Sequence, residues 1–352
     1  MSLTQSTNNV QLITEKNMEI ENEPKINENI SPLILENSQI LIETDNLVNL
    51  KSILTQKNKE ELKFFGISEY YIKEISDKLI SKYSKYFSKT FDQKNFIIPL
   101  DDFLSKHEIN PIYRTKMVDW MITVFHSFNS NEGIIFNAVQ IMDMYLSKTD
   151  DLLKIEDIHL IGITCIYLAY KNYDKLPIKM KKFINLVAHD NFDEKTIKKM
   201  KAKIIKKIDL NLLTPNIYEL IQFLLYVLFI EHKETIQKLN LKNMLNILDN
   251  CSIWLATMCN HFEQYSSVSP IILSFSCIII AYEMMKENCK SLNEDMKKFF
   301  EDWIKFLYVN IAKTPEIKNY IQKICKSIEI TYNEFEKMDL KSLLQYHHLY
   351  FE

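Results

Sequence analysis

The chain has 352 residues, 47% of them hydrophobic, with 43 Lys and Arg against 46 Asp and Glu for a net charge of −3. This is average globular usage, long enough for about two domains, and the balance argues against a nucleic-acid binder, which carries a basic excess. Glycine is the outlier, with 3 in the whole chain where about 7% is usual. So few positive-φ residues point to an all-helical fold. There is no GxGxxG and no Walker A loop, which excludes dinucleotide-binding and P-loop readings.

Residues 1–45 are rich in Asn, Glu, Ser and Thr and read as a disordered tail. The opening stretch, MSLTQSTNNVQL, has neither the basic nor the apolar region of a signal peptide. Residues 46–110 read as an N-terminal helical extension. Within it, Ile67, Tyr71, Ile75, Leu79 and Tyr83 recur at four-residue steps, predicting an amphipathic helix over 67–86.

From 111 onward the pattern is helix after helix. Pro111 suits a first helical turn and opens a helix to about Phe128. Asn131-Glu132-Gly133 breaks it, and a second helix follows at about 134–147. The third, about 156–172, is apolar nearly all round and is enclosed by its neighbours. A fourth runs from Pro177 to about 188, and a fifth over about 194–208 with Asp193 as N-cap. Asn211–Pro215 reads as a connector in which Thr214 caps the next helix and Pro215 sits in its first turn.

The pattern then recurs at an offset of 112. Residues 161–170 (IGITCIYLAY) align with 273–282 (LSFSCIIIAY), and 139–147 (VQIMDMYLS) with 251–259 (CSIWLATMC). Two segments in one register predict two copies of a five-helix domain. The longest apolar runs hold about 15 residues with polar breaks, short of the roughly 18 a membrane span needs.

The search for chemistry returns little. Eight histidines are dispersed, with no HExxH, nucleophile elbow or kinase signature. His159, ahead of the third helix, reads as structural or surface. The six cysteines form no CxxC and read as reduced, mostly buried thiols without zinc spacing. No cofactor and no metal are implied. The Lys runs at 179–182 and 198–207 read as a solvated helix face or as a surface for an acidic partner.

Arg114 is the one arginine; the other 42 basic residues are lysine. A planar five-donor fork suits a bidentate carboxylate inside a packed bundle, where lysine does not substitute. The candidate partner is Asp143, in the middle of the second helix, an acid that must be paired if buried. The alternative is that a lone arginine is an accident of composition.

Tyr113-Arg114-Thr115-Lys116-Met117-Val118-Asp119-Trp120-Met121 resembles the MRxxLVDWL signature that opens the cyclin box. NAVQIMDMYLS (137–147), LIGITCIYLAYK (160–171), FDEKTIKKMKAKIIKKIDLNLLTP (192–215) and SSVSPIILSFSCIIIAYE (266–283) are similar to later cyclin-box helices and to the central helix of a second box. The resemblance, to A/B-type cyclins, spans about 67–330. It implies an all-α fold of two tandem five-helix cyclin-type repeats, an N-terminal cyclin box at 111–211 and a C-terminal cyclin fold at 212–330, with 331–352 as a tail.

The resemblance further implies a non-enzymatic subunit that forms a heterodimer with a cyclin-dependent serine/threonine protein kinase and activates it in cell-cycle control. Nuclear and cytoplasmic residence is the family expectation, with no nucleic-acid or membrane partner. By the same resemblance Arg114 and Asp143 hold the first box together, and Lys171 is the kinase-contacting lysine. Tyr113, Met117 and Trp120 form a candidate docking patch for substrate or inhibitor peptides, although core packing serves Trp120 equally well.

The departures are specific. Family members pair that lysine with a glutamate on the fifth helix, where this chain has Lys201; the acidic pair after the lysine is reduced to Tyr173-Asp174; and Lys116 interrupts the docking patch. The tail holds no Arg and so no RxxL destruction box, and the KEN at 286–288 reads as chance. Two other classes stay open. One is a cyclin-fold scaffold that activates no kinase, favoured by Lys201. The other is a transcription-initiation factor of the same fold, which would want a basic second repeat and a zinc ribbon.

Overall fold

The structure, a computed structural model, describes residues 103–128, 132–172, 183–188, 191–208, 215–312, 315–338 and 340–346. The helix expected at 67–86, the part of the extension before it and the tail at 1–45 lie outside the described residues. What is described is all-α, with ten α-helices, three short helical turns and one isolated bridge, Glu108 to Lys154, among the described residues.

The first repeat contains α1 (Pro111–Ser127), α2 (Glu132–Lys148), α3 (Ile155–Asn172), a wide turn at Ile184–Ala188 and α4 (Glu194–Lys207). The second contains α5 (Ile217–Lys238), α6 (Lys242–His261), α7 (Pro270–Asn288), α8 (Glu294–Ile311) and α9 (Pro315–Glu334). A short α10 (Lys341–Tyr346) follows. Each repeat has its own core. One gathers apolar side chains from Phe103 to Ile208, the other from Tyr218 to Leu343 together with Phe136 of α2. Phe136 stacks on Tyr218 at 5.9 Å and so joins the two cores.

Local chemistry explains the helix ends. Asn110 caps α1 by accepting from the Ile112 N–H at 3.0 Å, with Pro111 in the first turn. Asp193 caps α4 by accepting from the Thr196 N–H at 2.7 Å. At α5 the outcome differs from the expectation of a Thr214 cap. The helix starts at Ile217 behind Asn216, whose carboxamide accepts from the Glu219 N–H at 2.9 Å while the Glu219 carboxylate accepts from the Asn216 N–H at 3.2 Å. This reciprocal box satisfies two orphan donors at once, more than a proline in the first turn can. Gly133 likewise sits inside the first turn of α2, not in a break. The chain even ends α5 without glycine. Asn240 takes the left-handed position (φ 52) while the Leu241 N–H reaches back to the Ile236 carbonyl at 3.0 Å.

The central helices are buried as their patterns require: every residue of 161–170 is buried, as are 272–278 of α7. Small residues let their neighbours approach. A Cβ built on Gly162 would fall 2.0 Å from the Met117 methyl. α9 crosses the boundary expected at 330 and runs to Glu334, and beyond it Phe335, Leu340, Ser342 and Leu343 are buried. Leu340 and Leu343 stand at helical spacing and dock α10 against α1 and the second core.

Candidate functional site

Two groups of polar residues stand out from these cores, one at the junction of the repeats and one on the face shared by α3 and α4.

At the junction, Arg114 is 1% exposed. Its Nε donates to Asp143 Oδ1 at 2.8 Å and its Nη2 to Asp143 Oδ2 at 2.7 Å, a bidentate fork between α1 and α2. The remaining donor capacity leaves the first repeat. Nη1 donates to the carbonyls of Asn260 at 3.1 Å and His261 at 3.0 Å, which end α6, and Nη2 to Ser266 Oγ at 3.2 Å. Ser266 Oγ donates to Asp143 Oδ2 at 3.0 Å, and Thr115 Oγ1 donates to the His261 carbonyl at 2.8 Å. A cation at the end of α6 also meets the negative end of that helix. One side chain thus pairs a buried acid, caps a helix and joins the repeats.

A second knot lies one turn along α1. Asp119 Oδ1 accepts from the Ser342 backbone N–H at 2.9 Å and from Ser342 Oγ, and lies 3.5 Å from His261 Nε2. His261 is fully buried; its Nδ1 lies 2.9 Å from the Thr257 carbonyl, and its Nε2 lies 3.2 Å from Ser342 Oγ. Burial pushes the Asp119 carboxyl upward, but the hydrogen bonds from His261 and Ser342 and the nearby imidazole outweigh it and hold it below the usual carboxylate range. Neither His261 nor Ser342 is marked by a sequence signature. They stand 142 and 223 residues from Asp119, so only the fold brings them together.

On the other face, Lys171 ends α3 and Lys201 lies in mid-α4. Their ammonium groups sit 5.9 Å and 5.7 Å from the centroid of the same ring, that of Tyr167. Asp174, and Tyr173 beside it, lie outside the described residues. Of the docking-patch residues, Tyr113 and Trp120 are half-buried, Lys116 is exposed, and Met117 is turned into the core against Gly162. Trp120 meets His159 edge-on at 5.1 Å, and His159 meets Phe192 at 5.6 Å, which places His159 in a structural aromatic ladder.

No catalytic constellation emerges among the described residues, and no three His, Cys, Asp or Glu side chains there could hold a metal ion. The six cysteines are free thiols. Burial pushes those of Cys251 and Cys325 up to about 12 and those of Cys165 and Cys277 well up, which removes the thiolate that reactivity needs. No described helix is long and apolar enough to cross a membrane.

Residues 84–213 match the family model of the cyclin N-terminal domain. The chain is 21% identical over 271 residues to "S-phase entry cyclin-6" of Saccharomyces cerevisiae, covering 75% of this chain and 64% of that protein. It is 23% identical over 211 residues to G2/mitotic-specific cyclin-B3 of Caenorhabditis elegans, covering 59% and 50%. It is 27% identical over 119 residues to G2/mitotic-specific cyclin-B of Patiria pectinifera, covering 32% and 28%. The matched stretches thus span less than two thirds of these relatives. Among solved structures, a viral cyclin from herpesvirus saimiri superposes with a TM-score of 0.48 at 15% identity, over 69% of this chain and 91% of that one. The family-model match and the relatives support a divergent cyclin-family protein, with the family match falling on the first repeat.

Proposed function

We propose that this chain is the regulatory subunit of a cyclin-dependent serine/threonine protein kinase, which it binds, activates and helps direct to substrates in cell-cycle control. The observation that carries the proposal is the cyclin N-terminal match over 84–213, within which Arg114 and Asp143 form the fork that sets α1 against α2. The subunit contributes no reacting group. It binds the active arrangement of the kinase better than the inactive one and so shifts the population toward it. A shift from 1:99 to 99:1 needs about 10⁴-fold preference for the active state. The contact face is the end of α3 and the middle of α4, with Lys171, Lys201 and Asp174. Tyr113 and Trp120 remain for docking peptides of substrates or inhibitors. The heterodimer works in the nucleus, the cytoplasm or both.

A second reading, a cyclin-fold scaffold that activates no kinase, is favoured by one observation, the lysine at position 201. Affinity capture of the tagged chain from its native cell, with mass spectrometry of the eluate, separates the two. A protein kinase in stoichiometric amount is expected, and Lys171→Glu is expected to reduce its recovery at least tenfold. Recovery of other proteins and no kinase would leave the scaffold.

A further inference from the structure

The lysines of α4 are not equivalent. Lys198 pairs with Glu194 one turn earlier, Lys203 with Asp151 at 3.2 Å, and Lys207 with Asp150. These are ordinary surface pairs, each neutralised within the chain. Among the described residues Lys195, Lys199 and Lys206 of α4 have no such pair, and neither do Lys201 and Lys171. What Lys201 and Lys171 share is the ring of Tyr167, over which both ammonium groups lie within 6 Å of the centroid. The ring is itself fixed, 6% exposed and packed 5.4 Å from Phe183. It attracts both cations without cancelling their charge, and holds them on one small surface.

The surroundings fit a protein interface. Ile205, one turn beyond Lys201 on the same stripe of α4, is 42% exposed, and Leu186, one turn beyond Phe183, is 45% exposed. Two convergent cations with an apolar border suit a partner surface that is acidic at the centre and apolar at the edge.

We infer that the surface presented by Lys171, Tyr167 and Lys201 takes a carboxylate-bearing segment of the partner, an aspartate or glutamate seated between the two ammonium groups. The inference rests on the kinase reading for the identity of the partner, but its chemistry is separate. Two lysines that no described carboxylate neutralises repel a basic partner surface and select an acidic one.

The test uses the complex captured on the full-length tagged chain. A carbodiimide joins a lysine amine to a carboxylate in direct contact, and the links are mapped by mass spectrometry. A link from Lys171 or Lys201 to an aspartate or glutamate of the partner is expected. In parallel, Lys201→Glu should lower recovery of the partner at least tenfold at 50 mM salt and by less at 500 mM, because salt screens the contact. Lys201 is half-buried, so thermal unfolding is measured on the same variant, and the loss of recovery is read against a Lys201→Ala control of equal stability. Links formed only by other lysines, together with undiminished capture by Lys201→Glu, would overturn the acidic surface. Loss of the partner on phosphatase treatment without any carboxylate link would also overturn it, in favour of a phosphorylated partner. A partner that forms the expected link but is no kinase would sink the kinase reading and leave the acidic surface standing.

Discussion

The two repeats solve the same packing problem with opposite chemistry. At the offset of 112, α2 falls on α6 and α3 on most of α7, with Cys165 over Cys277, Ala169 over Ala281 and Tyr170 over Tyr282, all buried. Yet Asp143 falls on Leu255 and Arg114 on Tyr226. The second repeat fills its centre with Leu255, fully buried. The first spends a buried ion pair there, and an apolar replacement of such a pair is often as stable or more so. The difference lies in where the spare donors go. Arg114 reaches the last carbonyls of α6, so the fork joins the repeats as well as the helices of one repeat. An apolar side chain could fill the same space without making that connection.

The largest expected effect breaks the fork. Arg114→Ala leaves Asp143 buried without its partner and should cost about 3–5 kcal/mol in denaturant unfolding. Making the first repeat resemble the second, by Arg114→Met with Asp143→Leu, should recover part of this. It should remain about 1–3 kcal/mol below the parent, because the carbonyls of Asn260 and His261 lose their donor. Full recovery would show that the junction bonds contribute nothing.

A smaller contrast is in pH. Burial, with the charge of Glu132, pushes the carboxyl of Asp249 in α6 up to about 7 from an ordinary 3.8, against a hydrogen bond from Gln222. Its contribution is therefore fully present below pH 4 and is lost as pH rises through about 7. Burial pushes His126 in α1 down to about 4 from 6.5, so its contribution is present above pH 6.5 and lost as pH falls through about 4. Asp249→Asn should raise the melting temperature by a few degrees at pH 8 and leave it within about a degree at pH 4. An equal gain at both pH values would place the effect outside titration.

The smallest effect concerns close approach in the central helices. Gly162→Ala gains about 1 kcal/mol of helix propensity, but its Cβ forces the Met117 methyl aside at a cost of about 1–3 kcal/mol. A net loss near 1 kcal/mol is expected in thermal unfolding. A net gain would show that Met117 yields freely.

Much of this was legible in the sequence, for physical reasons. The two-fold order shows because burial all round a central helix constrains nearly every residue, so 161–170 and 273–282 stay alike. The fork shows because a single arginine against 42 lysines points to a place where planar geometry matters. The knot of Asp119, His261 and Ser342 does not show, since its members lie far apart in the chain and nothing in the residues near His261 announces a partner. The docking of α10 was missed for another reason. Within 331–352, Leu340 and Leu343 give one helical step, too short a period to read. The sharing of Tyr167 by Lys171 and Lys201 depends on how α3 meets α4, which spacing along either helix does not fix. The departure at Lys201 from the family's glutamate was readable; the ring beneath it was not.

The most direct test of the account is a phosphorylation assay on the kinase captured with this chain, first stripped of the chain and then titrated with the purified subunit. Activity should rise at least a hundredfold and saturate at one subunit per kinase, with Lys171→Glu shifting the titration to higher concentration. A kinase that binds the chain stoichiometrically and gains no activity would contradict the account and leave a cyclin-fold scaffold.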